Sequence, residues 1–161
     1  MLTFHKMYET YSADIYRFSY FLCGNQHDAE DITSETFVRA WAYKHSIRVE
    51  TLKAYLFTIA RNIFLNQQRR RKHITLLEDV HVDKKPLPDI SAGNQIKLQR
   101  VHKILSELPE IDRTVFLLRV QHDLPYAEIA RIVQLSLAAV KVKIHRVRKK
   151  IILMCADKEV N

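Results

Sequence analysis

The chain is predicted to be all-α, two small helical domains joined by a flexible linker. Three observations carry that expectation. The 161 residues hold only two Gly and four Pro, too few for the turns of a β-sandwich or barrel. Apolar residues make up 47%, enough for a core at this length. They recur every three or four positions in several separate stretches, which is the helical period.

The elements follow in chain order. Phe4, Tyr8, Tyr11, Ile15, Phe18 and Leu22 form one apolar stripe, and Gly24 ends that helix as a C-cap residue does. Asp28 is expected to open a second helix, with Glu30 and Asp31 where the macrodipole favours acids. Its inward side is Ala29, Ile32, Thr36, Phe37, Ala40 and Trp41, and its outward side a row of Asp31, Glu35 and Arg39. Residues 44–50 have no period and read as a loop. A third helix from Thr51 turns Leu52, Tyr55, Leu56, Ile59, Ala60 and Ile63 inward and ends in the cations 69–72. Residues 74–94 contain Pro86, Pro88 and Gly93, lose the stripe, and read as an interdomain linker. Helical spacing resumes with Ile96, Val101, Ile104, Leu105 and Leu108. Pro109 starts the next helix, which packs Val115 and Leu118.

A helix-turn-helix follows. Tyr126 to Val133 is a short helix with Pro125 suited to its first position. Gln134-Leu135-Ser136 is the turn, and Ser136 suits the N-cap of a long helix from Leu137. At ~100° per residue, Val140, Ile144, Val147 and Ile151 form one core seam. Lys141, Val142, His145, Arg146 and Lys149 fall on the opposite side. An apolar back and a donor-rich front are what a recognition helix in a major groove needs.

Charge locates the function. The formal net charge is +8. Residues 51–73 carry six cations and no acid, and Lys141, Lys143, Arg146, Arg148, Lys149 and Lys150 form a second such block. All other residues sum to −4. A surface built for solubility mixes signs, whereas blocks of one sign suit a polyanion. The bland alternative is a pair of solvated helix faces.

Enzyme chemistry has no foothold: Gly is too scarce for a phosphate loop, and no Ser-His-Asp or Cys-His pattern occurs. Cys23 and His27 stand at i, i+4, but two ligands do not make a metal site. No cofactor and no metal are expected. No apolar run reaches the ~18 residues of a membrane span, and two isolated cysteines argue against a disulfide framework. The chain reads as soluble, reduced and cytoplasmic.

Three segments resemble the extracytoplasmic-function (ECF) sigma factors of bacterial RNA polymerase. DAEDITSETFVRAW, residues 28–41, is similar to the family's region 2.2. LKAYLFTIARNIFLNQQRRRK, residues 52–72, is similar to regions 2.3 and 2.4. LPEIDRTVFLLR, then YAEIARI and VKVKIHRVRKKI, is similar to region 4. The motifs come in the family's order and leave only the linker uncovered.

The resemblance implies region 2 over 1–73, a linker over 74–94 and region 4 over 95–161. It implies a factor that binds core RNA polymerase and directs promoter-specific initiation through −10 and −35 elements. Asp31, Glu35, Phe37 and Arg39 would meet the polymerase clamp coiled coil, with Phe37 either a core residue or an interface anchor, core favoured. Lys53, Arg61, Asn62, Asn66, Gln67, Arg69 and Arg70 would serve the −10 element, whose flipped base would sit in the 44–50 loop. Tyr55 would stack on a base or be buried, burial favoured. Lys141, Val142, Lys143, His145, Arg146 and Lys149 would read the −35 element. The partners implied are the polymerase clamp and flap, promoter DNA and an anti-sigma factor. Linker acids Glu78, Asp79 and Asp83 hint weakly at nucleic-acid mimicry.

This chain departs from the family at Ala138-Ala139-Val140-Lys141-Val142-Lys143, where Gly-Thr-Val-Lys-Ser-Arg is common. Two hydroxyls are lost, and Val142 offers apolar contact only, for example to a thymine methyl. The rival reading is a stand-alone helix-turn-helix regulator binding duplex DNA through residues 95–155, with 1–73 as a dimerisation or ligand module. A third is a helical adaptor for an anti-sigma partner or RNA.

Overall fold

The structure is a computed structural model that describes residues 1–46, 52–75 and 92–159. Most of these residues are helical, with no strand among them. The chain divides into two compact units, Met1–Asp89 and Ile90–Asn161.

The first unit packs α1 (Phe4–Cys23), α2 (Gln26–Ala42) and α3 (Leu52–Thr75) on one another. Thr3 caps α1 by accepting the Lys6 amide at 3.1 Å. Gly24 ends it at φ 84°, a left-handed conformation in which a Cβ would be strained, and its amide returns to the Tyr20 carbonyl. The cap of α2 is Asn25, so α2 begins at Gln26, ahead of the expected Asp28. Asn25 Oδ1 accepts the Asp28 amide at 2.8 Å, and Asn25 Nδ2 donates to the Asp28 carboxylate at 2.6 Å. Asn25 is thus an N-cap whose side chain is itself fixed by the Asp28 carboxylate.

The α1 stripe is buried from Ile15 through Phe18 to Leu22. Its N-terminal end departs from expectation: Phe4 and Tyr8 are exposed, and Met7 takes the inward position. There α1 lies over the end of α2, with the Phe4 ring edge-on to Trp41 at 5.7 Å and Tyr8 edge-on to Phe37 at 5.0 Å. From α3, Leu52, Leu56, Ile59, Ala60 and Ile63 are buried as expected, joined by Phe57 and Phe64. Phe18 and Phe57 meet edge-on at 5.1 Å. Tyr55 is half-buried. Lys44–Ser46 form a 3₁₀ turn, and the remainder of the expected 44–50 loop lies outside the described residues, as does Thr51.

The second unit consists of α4 (Ala92–Ser106), α5 (Glu110–Phe116), α6 (Tyr126–Val133) and α7 (Leu137–Glu159). Ile104, Leu105 and Leu108 are buried, but Val101 is exposed. Arg113 ties the end of α4 down: its guanidinium donates to the Leu105 and Leu108 carbonyls at 2.9 and 3.2 Å. After Phe116 the backbone widens into a π-helical turn, Leu117–Gln121, with Leu117 and Leu118 buried. Linker residues 76–91, including Glu78, Asp79 and Asp83, lie outside the described residues. At either side α3 runs on to Thr75 and α4 starts at Ala92.

Candidate nucleic-acid interface

The helix-turn-helix is built by α6 and α7. Pro125 stands one residue before α6 and its carbonyl accepts the Glu128 and Ile129 amides, so it supplies the cap carbonyl. Ile129, Ile132 and Val133 are buried, and Ala130 is half-buried. Gln134 turns the chain in the left-handed region at φ 58°, and the Leu135 amide closes back on the Ala130 carbonyl. Ser136 Oγ accepts the Ala139 amide at 3.1 Å, the expected N-cap. Val140, Ile144 and Val147 are at most 2% exposed, and Ile151 is half-buried.

That seam leaves Lys141, Val142, His145, Arg146 and Lys149 exposed together on the opposite side of α7. Lys143 does not join them. Its Nζ is 2.6 Å from the Asp112 carboxylate, both groups partly buried, so it pins α7 to α5. In this structure Lys143 is therefore engaged within its own unit rather than presented with that exposed row. At α6, the Arg119 guanidinium lies over the Tyr126 ring at 4.7 Å and donates to the Leu124 carbonyl, bracing the entry to the motif.

On α3 the candidates separate by helical phase. Asn62, Asn66 and Arg69 fall within ~60° of one another and are exposed, with Arg70 exposed at their edge. Gln67 and Lys53 lie ~140° and ~180° from Asn62, on the side that carries Phe57, Ala60 and Phe64 inward, and are half-buried. Arg61 is half-buried on the flank. Of the seven residues expected to serve the −10 element, Asn62, Asn66, Arg69 and Arg70 therefore share one exposed side of α3, and Lys53, Arg61 and Gln67 lie off it.

Arg71 sits in the same basic run yet turns back. Its guanidinium reaches the buried Asp28 carboxylate at 2.5 Å, joining the end of α3 to the start of α2. No local spacing links Asp28 to Arg71, so this tie could not be read from the sequence. Beside it, the Cys23 thiol donates to the Asn25 carbonyl at 3.3 Å, and burial pushes its pKa up to about 11.

On α2, Asp31 and Arg39 are exposed and Glu35 half-exposed. Glu35 pairs with Arg39, and His27 lies 3.5 Å from Asp31. Phe37 is 1% exposed and is removed from this contact row: it is a core residue behind Tyr8. Among the described residues no three His, Cys, Asp or Glu side chains gather as metal ligands, and no helix is long and apolar enough to cross a membrane.

Two helical units, one closing on a capped helix-turn-helix with a cationic outer face, have the build of a DNA-binding protein. Residues 7–74 match the family Sigma-70 region 2, and residues 98–151 match Sigma-70, region 4. The ECF RNA polymerase sigma factor SigM of Bacillus subtilis (strain 168) is 31% identical over 152 residues, covering 93% of each chain. SigE of Mycolicibacterium smegmatis, also an ECF sigma factor, is 34% identical over 144 residues, 85% of this chain and 55% of that protein. The sigma factor RpoE of Bartonella quintana, solved with the anti-sigma factor NepR, superposes with a TM-score of 0.80 at 26% identity, covering 91% of this chain and 92% of that one. The chain belongs to the ECF sigma factors of the sigma-70 family.

Proposed function

We propose that this ECF sigma factor joins core RNA polymerase and directs it to promoters through two DNA-binding surfaces, one on each helical unit. The observation that carries the reading is the outer face of α7. Lys141, His145, Arg146 and Lys149 project opposite the buried Val140–Ile144–Val147 seam, after a turn capped by Ser136. Region 4, over 95–161, is the −35 reader. Region 2, over 1–73, supplies Asn62, Asn66, Arg69 and Arg70 for the −10 strand, and residues 74–94 connect the two.

The acid-rich row of α2, Asp31 and Glu35 with Arg39, is the polymerase-facing surface, since charge pairs set register and partner choice. The likeness to a sigma factor solved with its anti-sigma factor supports an anti-sigma partner here too. The chain works in the cytoplasm and contributes binding energy, with no chemistry of its own.

Reconstitution tests this. Core polymerase plus the purified chain is expected to form a holoenzyme that initiates at defined positions on a promoter library. A chain that binds duplex DNA without forming holoenzyme is a stand-alone regulator instead, and the reading fails.

A further inference from the structure

The outermost face of α7 near its N-terminal end is apolar. Ala138 and Val142 stand one turn apart, ~160° and ~200° from the buried Val140, and so point directly away from the core. Ala138 is exposed and Val142 is 48% exposed. His145 and Lys149 continue the same face, and Lys141 lies on one flank. On the other, Ala139 and Arg146 border a shallow concavity whose far wall is Asp112 of α5. That carboxylate does not repel a polyanion, because Lys143 pairs with it.

An apolar strip inside a frame of cations fits one chemistry well. The cations select phosphate on either side. The strip itself offers no donor or acceptor, so it reads none of the N7, O6 or amino groups of a major groove. The one apolar group on a base edge there is the C5 methyl of thymine. The first turns of a recognition helix come closest to base edges, which is where Ala138 and Val142 sit. A protein helix would need a broader apolar groove than this strip of two small side chains.

We infer that Val142, with Ala138 beside it, reads the C5 methyl of a thymine in the −35 element. The inference rests on region 4 acting as the −35 reader.

The test uses reconstituted holoenzyme and promoter duplexes enriched from a pool with a randomised upstream element. Each thymine of the enriched element is replaced in turn by deoxyuridine, which deletes the methyl and keeps every hydrogen-bonding group. One or two replacements are expected to weaken wild-type binding roughly fourfold each, the effect of one buried methyl. The Val142→Ala holoenzyme is expected to bind thymine and uracil versions alike. Folding is not at issue, since the side chain is half in water and Ala is the better helix former; a circular dichroism spectrum matching wild type checks it. Uracil changes that leave wild-type affinity untouched overturn the inference, as does a thymine preference that survives in Val142→Ala. A pool that enriches no upstream sequence overturns the −35 reading itself, and this inference with it.

Discussion

Asp28 shows how much a single carboxylate holds in place. It is buried, fixes the side chain of the Asn25 cap, and accepts the Arg71 guanidinium from a position 43 residues away. Asp28→Ala removes charged hydrogen bonds at both ends of that link, and is expected to destabilise region 2 by about 2 kcal/mol. Trp41 is the sole tryptophan and lies in α2, so its fluorescence during urea unfolding reports this unit. Cys23 makes a second prediction. Its thiol pKa is raised from 9.0 to about 11, so the folded state holds the proton that the unfolded state releases between those values. Stability is therefore fully present below pH 9 and is lost as pH rises toward 11. Near neutral pH the exposed Cys155 is expected to react first with a disulfide reagent, and the half-buried Cys23, with its raised pKa, much more slowly until the chain unfolds.

At the level of elements, the turn between α6 and α7 depends on a left-handed residue that is not glycine. Gln134→Val places a branched Cβ at φ 58° and is expected to cost about 1–2 kcal/mol, while Gln134→Gly leaves stability level or raised. Thermal melting followed by circular dichroism checks both. The faces of α7 divide their labour. Lys143→Ala is expected to loosen α7 from α5 by about 1 kcal/mol, since the pair is only partly buried. Arg146→Ala is expected to reduce −35-dependent initiation and leave core-polymerase binding intact; loss of core binding would refute this division. Helix existence was legible because period and caps are local: Gly24, Ser136 and the Val140–Ile144–Val147 seam needed no distant neighbour. The same rule misplaced Tyr8 and Val101. Phase alone marks them inward, but exposure depends on whether a partner helix extends that far.

For the molecule as a whole, net charge understates its interaction with DNA. Among the described residues, at least Arg71 and Lys143 of the twelve block cations are held by intramolecular carboxylates. If about six of the others meet phosphates, promoter affinity should fall roughly 10³-fold between 50 and 200 mM salt. A nearly flat salt response would show the blocks to be solvated faces. The sequence by itself determined the helices, the two cationic blocks, the capped helix-turn-helix and the three motifs of an ECF sigma factor. All of these are written in spacings of a few residues or in composition. Tertiary structure alone decided which charges remain outward. Arg71 finds Asp28 and Lys143 finds Asp112 across separations of 43 and 31 residues, and Phe37 disappears behind Tyr8. Those choices are made by helix packing, which brings together side chains that no local period relates.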